Sequence, residues 1–294
     1  RGGFIDLAHV RTAIDWTWHC TREVRAALER GRAAVAVIGP DVGVFHVSLA
    51  YSGDWETLSE AERAACIEEA SHRIGQRTAY LILTWHEIAT WFGYRSFFFD
   101  EAPSAFTYDD TIATLLGIRV AERAMGKMSG KSDAEFDAAA TGALEVELNR
   151  LGPVTPAQTD EAVGAVKGIW WSMDGPLKRQ TEVCLCDGKV VYPWLVPNLS
   201  FLKNTPAPEG FVLPCDGREA AIVARIEIEP RIEQATAMRA LVPGHPQWFA
   251  EERDLPALMK AMRLQMQARY GAEVGQPWPG SQEATVRSET LDEA

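Results

Sequence analysis

The chain has 294 residues, of which 47% are hydrophobic and 24% charged, so it is long enough for one large domain or two small ones. Its formal net charge of −12 excludes the basic surface that nucleic-acid binding requires and argues against electrostatic docking on anionic lipid. No apolar run approaches the roughly 18 residues of a membrane-spanning helix. These properties leave a small molecule, rather than a nucleic acid, as an expected partner.

Apolar residues recur mostly at helical spacing, with a few alternating runs that are typical of strands. In chain order the patterns predict a helix over residues 4–30, strands over 33–38 and 44–51, a helix over 59–92, an aromatic loop over 94–106, helices beginning at Thr107, Ser132 and Thr155, strand-like runs over 180–196 and 219–228, and a helix over 254–270. We therefore predict a mainly α protein of the α+β class. Residues 1–274 would form one helical domain with a small antiparallel β-subdomain, and residues 275–294 a disordered tail.

The five cysteines leave at least one thiol without an internal partner. Cys20 and Cys66 lie on apolar helical faces and are predicted to be buried thiols. A disulfide from Cys215 to Cys184 or Cys186 is expected in an oxidising compartment. A zinc site built from these last three thiols is less favoured, because no fourth ligand is nearby.

Two polar pairs interrupt the longest apolar helices, where an ionisable group is costly to bury unless it is paired or bound to a metal. The first pair is Asp6 and His9, three residues apart and therefore on one face of the first helix. A carboxylate and a neutral imidazole at this spacing suit a divalent metal ion. The alternative is that Asp6 stabilises the positive end of the helix dipole and that His9 is unrelated to it.

The second pair, His86 and Glu87, matches the start of a zinc-protease helix motif, in which two histidines bind zinc and the glutamate activates water. Thr90 stands where the second histidine of that motif belongs, so the motif is incomplete. His9 from the other helix would have to supply the missing ligand. His72 is excluded as a co-ligand of His86, because four helical turns separate the two by about 21 Å.

Arg11 and Arg119 are candidate clamps for an anionic substrate group, because guanidinium binds carboxylate or phosphate through two hydrogen bonds. The alternative for both is an internal salt bridge, and the acidic partners considered are Asp6, Asp15 and Glu122. Glu87 has a similar alternative, a buried salt bridge to Arg11, Arg119 or Arg123. Asp109 and Asp110 would add carboxylates to the site, although acidic residues in the first turn of a helix usually serve to stabilise it.

Several catalytic motifs are absent from the sequence. It contains no Walker A loop, no dinucleotide-binding glycine motif after a strand, and no Gly-x-Ser-x-Gly nucleophile turn. This leaves metal-assisted hydrolysis and carboxylate acid–base chemistry as the enzymatic classes to consider.

Three segments resemble an uncharacterised bacterial family that is classed as a domain of unknown function. They are residues 1–11 (RGGFIDLAHVR), 84–93 (TWHEIATWFG) and 115–119 (LLGIR). Members of the family often carry lipoprotein-type signal sequences. The resemblance therefore implies export to the periplasm or cell envelope, with further chain and a possible lipid anchor upstream of the glycine pair. It implies no activity.

The leading hypothesis is an envelope hydrolase with zinc or another divalent ion. Asp6, His9 and His86 would bind the ion, and Glu87 would act as general base on a metal-bound water. Arg11 or Arg119 would orient the substrate, either a small molecule or a component of the cell envelope.

Two rival hypotheses remain open. The first is metal-free cleavage of a cell-wall glycan with Glu87 as the acid and a second carboxyl from Asp6, Asp100 or Asp110. The second is a binding or scaffolding protein of the envelope without enzymatic activity, in which the polar stripes are internal salt bridges.

Overall fold

α-Helices and a small antiparallel sheet account for most of the regular structure. The computed structural model describes residues 1–39, 43–96, 99–100, 102–128, 132–173, 175–181, 190–204, 206–212 and 221–271. The helices are α1 (Leu7–Glu29), α2 (Glu60–Trp91), α3 (Asp110–Met125), α4 (Asp133–Leu151), α5 (Pro156–Ala165), α6 (Ala235–Ala240) and α7 (Glu251–Tyr270). The strands are β1 (Ala34–Gly39), β2 (Gly43–Tyr51), β3 (Arg95–Ser96), β4 (Phe99–Asp100), β5 (Trp171–Ser172), β6 (Gly175–Pro176), β7 (Val190–Val191), β8 (Phe211–Val212), β9 (Ile222–Pro230) and β10 (Phe249–Ala250). The predicted mainly helical α+β class is confirmed.

Side-chain caps fix the helix starts that the sequence indicated. Ser59, Ser132 and Thr155 each accept a hydrogen bond from the backbone three residues later, and each closes a capping box. Two other starts differ from prediction. The first helix begins at Leu7 rather than residue 4, because Asp6 caps it, and α3 begins three residues after Thr107.

A four-stranded antiparallel sheet in the order β1-β2-β9-β10 covers one side of α2. β1 and β2 lie on the two predicted strands and pair antiparallel, and β9 pairs along the whole of β2. The rings of Trp85 on α2 and Phe249 on β10 lie 5.1 Å apart in the main apolar core. Of the strand-like run over 180–196, the structure places Val190 and Val191 in β7. Residues 182–189, with their Asp-Gly turn signal, lie outside the described residues.

Two glycines allow α1 to approach α2 and α3 closely. A Cβ atom on Gly75 of α2 would lie 2.4 Å from the Thr21 hydroxyl, and one on Gly117 of α3 would lie 2.4 Å from the Val10 carbonyl oxygen. Neither contact is sterically possible, so α1 packs backbone-close against both neighbours only because these positions lack side chains. The three helices therefore bring polar residues of α1 within reach of those on α2 and α3.

The cysteine predictions are tested only in part. Cys20 is free and fully buried, and its burial raises the pKa of the thiol. Cys66 is free and half-buried. The three other cysteines and the 275–294 tail lie outside the described residues, and the assignment of 1–274 to one domain stays a prediction.

Among the helices that the structure describes, none combines the length and apolar character needed to cross a membrane.

Candidate functional site

Asp6 and His9 form a hydrogen-bonded pair at the start of α1. Asp6 caps the helix: its Oδ1 accepts the Ala8 N–H at 2.7 Å, and its Oδ2 lies 2.9 Å from Nδ1 of His9. Because a carboxylate only accepts hydrogen bonds, Nδ1 of a neutral His9 carries the proton and Nε2 keeps its lone pair. The His9 side chain is 36% exposed.

Two acidic side chains approach His9 from the neighbouring helices. Glu87 on α2 places Oε1 3.9 Å from His9 Nε2, and its Oε2 accepts the Phe106 N–H at 2.8 Å. Asp110, the first residue of α3, places Oδ1 3.7 Å from His9 Nδ1, and its Oδ2 accepts the Thr107 N–H. The side chains of Glu87 and Asp110 are only 13% and 7% exposed. We call Asp6, His9, Glu87 and Asp110 the site cluster.

The carboxyl groups of the site cluster are held in different protonation states. Burial, reinforced by the negative charge of Asp110, raises the pKa of Glu87 well above its usual range. Burial also raises the pKa of Asp110, to about 6. The slight burial of Asp6 works in the same direction, but hydrogen bonds from Ala8 and His9 outweigh it and lower the pKa of Asp6. Above the ordinary glutamate pKa, Glu87 therefore still holds a proton over a pH interval in which Asp6 is ionised.

A small cavity of about 10 Å³ lies against Glu87 and Asp110. Tyr80, Thr84 and Phe106 are among its other walls. A volume of about 10–15 Å³ is the minimum that holds one water molecule. The buried end of the site therefore has room for a single water-sized group.

The sequence reasoning missed Arg179, which holds the loop beside the site cluster. Its guanidinium is fully buried and donates to the carbonyl oxygens of Pro103 and Ala105 and to the Tyr270 hydroxyl. The same loop carries Phe106, whose left-handed backbone (φ 53°) directs its N–H to Glu87. Arg179 thus holds the loop whose N–H bonds to Glu87, and both this N–H and the Arg179 charge lower the pKa of Glu87 against the larger effect of burial. A lone arginine in an irregular segment gives no sequence signal that distinguishes it from a surface arginine.

His86, the predicted third metal ligand, has its ring 6.0 Å from that of Tyr94, in an edge-on arrangement. In the part of the chain that the structure describes, no group of three histidine, cysteine or acidic residues has the geometry to hold a metal ion. Both oxygens of Asp6 are already engaged in hydrogen bonds within α1. The zinc prediction for Asp6, His9 and His86 therefore stays a prediction that would need side-chain movement.

The two candidate anion clamps have partners outside the site cluster. The side chain of Arg11 is 85% exposed and lies 3.9 Å from Asp15, the internal pair offered above as an alternative. Arg119 pairs with Glu209 and donates to the Gly210 carbonyl at 2.8 Å. It also lies nine residues beyond Asp110 on α3, which is about 13 Å along the helix axis. Substrate binding by these arginines stays a prediction.

The fold and the site together define an α+β protein in which a half-exposed Asp–His pair lies over a buried carboxyl pair. A family model described as a protein of unknown function (DUF4056) matches residues 1–183. The chain belongs to this family, which confirms the resemblance that its sequence segments indicated. The match includes the whole site cluster and Arg179. No curated protein and no solved structure matches the chain.

Proposed function

We propose that this protein is a hydrolase in which His9, oriented by Asp6, activates a water molecule beside Glu87. The observation that carries the proposal is Nε2 of His9, which faces the buried carboxyl group of Glu87 at 3.9 Å in a side chain that is partly exposed. A water molecule at a hydrogen-bond distance of about 2.8 Å from both atoms would see them at an angle of about 90°. That is a comfortable hydrogen-bonding geometry.

The chemistry requires one base and one acid, and the site cluster supplies both. Nε2 of His9 accepts a proton from water as the water oxygen bonds to the electrophilic carbon of the substrate. The bond from that carbon to the leaving group breaks, and protonated Glu87 gives its proton to the leaving group. Asp6 stabilises the imidazolium that forms, and transfer of the proton from His9 to Glu87 restores the starting state.

The metal-dependent form of this hydrolase is the second candidate. One support for it is the close approach of Glu87 and Asp110, because a divalent ion could replace the proton between two carboxyl groups. The other is Asp6, which would orient a metal-binding His9 from outside the coordination sphere. An ion with bonds of about 2.1 Å to both His9 Nε2 and Glu87 Oε1 would see the two atoms at an angle of about 136°, which is wider than the tetrahedral angle of zinc sites. Water fits the observed separation without movement of either side chain.

Glycan cleavage by a two-carboxylate mechanism has weaker support. The carboxyl of Asp110 interacts closely enough with Glu87 to raise its pKa, whereas glycosidases keep their carboxyl groups about 5–10 Å apart, so Asp110 does not suit the second role. Asp6 stays a candidate for it, and the side chain of Asp100 lies outside the described residues. A role as an envelope scaffold requires internal ion pairs at both polar stripes, and in the described residues Glu87 has no arginine or lysine ion-pair partner.

Export to the periplasm or envelope is supported by the family resemblance alone. Cell fractionation of the full-length protein would test this localisation.

Hydrolysis of p-nitrophenyl acetate is the first test of the proposal. We expect His9→Ala and Glu87→Gln to lower kcat by about 10²–10⁴-fold, the usual contribution of a general base or acid. His19→Ala is the matched control, because His19 is an exposed histidine of the same helix and should leave the rate unchanged. Activity that survives in folded His9→Ala protein would contradict the proposal.

Metal analysis separates the two forms of the hydrolase. The water-only form predicts substoichiometric metal after purification without chelator and full activity in the presence of EDTA. Stoichiometric zinc that is lost together with activity in His9→Ala would favour the metal-dependent form instead.

A further inference from the structure

A second, larger cavity of about 430 Å³ lies beside the start of α1. The N-terminal segment, the end of α4, α5 and residues 195–206 form its walls. Its volume is within the range of about 300–1,000 Å³ that is typical of small-molecule pockets. The site cluster does not line it.

The walls of this cavity are almost entirely aliphatic. Leucine, valine, isoleucine, proline and glycine dominate, and among the described residues that line it only Arg1 and Thr159 have polar side chains. A sugar or nucleotide needs many hydrogen-bond partners when it is buried, and this surface does not offer them. The lining instead suits a flexible hydrocarbon chain.

The rim of the cavity also favours an amphiphile. Leu7 and Val154 line it and are 54% and 47% exposed, so apolar surface is in contact with water at its opening. The guanidinium of Arg1 also lies beside the cavity, where it is paired with Glu209 at 3.3 Å and therefore offers a polar group rather than an uncompensated charge. A hydrocarbon chain with a polar head group matches both properties.

The cavity lies next to the proposed catalytic residues along the chain. Ile5 and Leu7 line the cavity, and Asp6 stands between them in the chain. The Cα atoms of Ile5 and Leu7 are therefore each about 3.8 Å from the Cα atom of Asp6. Gly3 allows this segment to pass close to residue 194, since a Cβ on Gly3 would lie 2.6 Å from the Trp194 carbonyl oxygen. The segment that lines the cavity therefore also carries the residue that orients His9.

We propose that this cavity binds the acyl chain of the substrate, so that an acyl ester or related amphiphile presents its scissile carbonyl group at His9. This inference rests on the hydrolase proposed above. The bond that breaks is the one between the acyl carbon and the leaving oxygen, and water supplies the hydroxyl group of the released fatty acid. The leaving oxygen takes up the proton from Glu87.

Calorimetric titration with hexanoate, octanoate and decanoate tests the binding step by itself. Each added methylene group should tighten binding about fourfold, until the cavity is full. Leu7→Asp and Val154→Asp should weaken decanoate binding at least tenfold, since both place a negative charge at the rim. Aspartate in the first turn of α1 is favourable for the helix dipole, so Leu7→Asp should fold normally.

Leu264→Asp is the matched control, because Leu264 is a similarly exposed leucine (58%) on α7 that does not line the cavity. Its decanoate affinity should equal that of the wild type. Absence of saturable binding by the wild type, no dependence on chain length, or equal losses in all three aspartate variants would overturn the acyl-chain proposal.

The His9→Ala variant separates this inference from the proposed function. It should bind decanoate like the wild type, because His9 does not line the cavity. Chain-length-dependent binding without any esterase activity would leave the cavity proposal standing and reject the hydrolase. Hydrolysis of p-nitrophenyl acetate at the same rate as the decanoate ester, without decanoate binding, would reject the cavity and retain the hydrolase.

Discussion

Two groups of buried acidic side chains in this protein differ in what surrounds them. The first, which we call the arginine cluster, consists of Glu147, Glu209, Arg119, Arg123 and Arg150. Its central carboxylate, Glu147, is fully buried and contacts all three arginines. In the site cluster, Glu87 and Asp110 are nearly as buried. The structure describes only His9, and no arginine or lysine, as an ion-pair partner for them.

The difference separates a structural role from a chemical one. Several guanidinium groups around one carboxylate offset the cost of burying it and leave it committed to that network. A buried carboxyl without such partners instead keeps its proton and can exchange it, which is the property that active sites require. Arg119, predicted from sequence to serve the site, belongs to the structural group.

The largest effect is expected when the arginine cluster loses its centre. Glu147→Gln leaves Arg119, Arg123 and Arg150 without their shared carboxylate and should lower the free energy of unfolding by about 3 kcal/mol. Urea denaturation measures this. A loss below about 1 kcal/mol would show that the arginines find other partners and that the cluster is not structural.

A smaller loss is expected for Arg179→Lys, which keeps the charge near the site cluster but cannot reach several carbonyl oxygens at once. We expect a decrease of about 2 kcal/mol in the free energy of unfolding. If Arg179 positions the Phe106 loop, the variant should also lower kcat on p-nitrophenyl acetate. A variant that is destabilised but fully active would limit Arg179 to a purely structural role.

The opposite sign is expected for Glu87→Gln, which should raise the free energy of unfolding at pH 8. Because the folded state raises the pKa of Glu87, the native protein holds a proton that the unfolded chain has released above the ordinary glutamate pKa. Wild-type stability must therefore fall as the pH rises through this interval, and the variant should lack the fall. Thermal melts between pH 5 and 8 compare the two. Parallel curves would mean that Glu87 is ionised in the native state.

The smallest change in stability is expected for Asp6→Asn, because asparagine also caps helices. Its pKa is lowered in the folded state, so the stabilisation from the charge is present above the ordinary aspartate pKa and is lost in acid. At pH 7 we expect a decrease of only about 0.5 kcal/mol for this half-exposed group. The esterase rate should nevertheless fall at least a hundredfold, since asparagine cannot stabilise an imidazolium ion. If the esterase rate fell only as much as the small loss of stability explains, the site cluster would have no chemical role that separates it from the arginine cluster.

The sequence predicted the helices well because their caps are local. It also paired Asp6 with His9, since three residues of helix place them on one face. The sequence could not predict how α2 is rotated about its own axis. His86 and Glu87 differ by about 100° around that axis, and only packing decides which of them faces α1. The sequence favoured a structural role for Asp110 in the first turn of its helix over a place in the site. The structure shows both, because Asp110 accepts the Thr107 N–H and also approaches His9. Arg179 depends on contacts with residues more than 70 positions away, which no local pattern encodes.

The protonation state of Glu87 at pH 7 is the central physical claim, and infrared spectroscopy measures it directly. The difference spectrum of wild type minus Glu87→Gln should contain the carbonyl band of a protonated carboxylic acid at pH 7, and that band should disappear as the pH rises through the raised pKa of Glu87. A difference spectrum that contains only carboxylate bands at pH 7 would contradict the claim, because an ionised Glu87 has no proton to give to a leaving group.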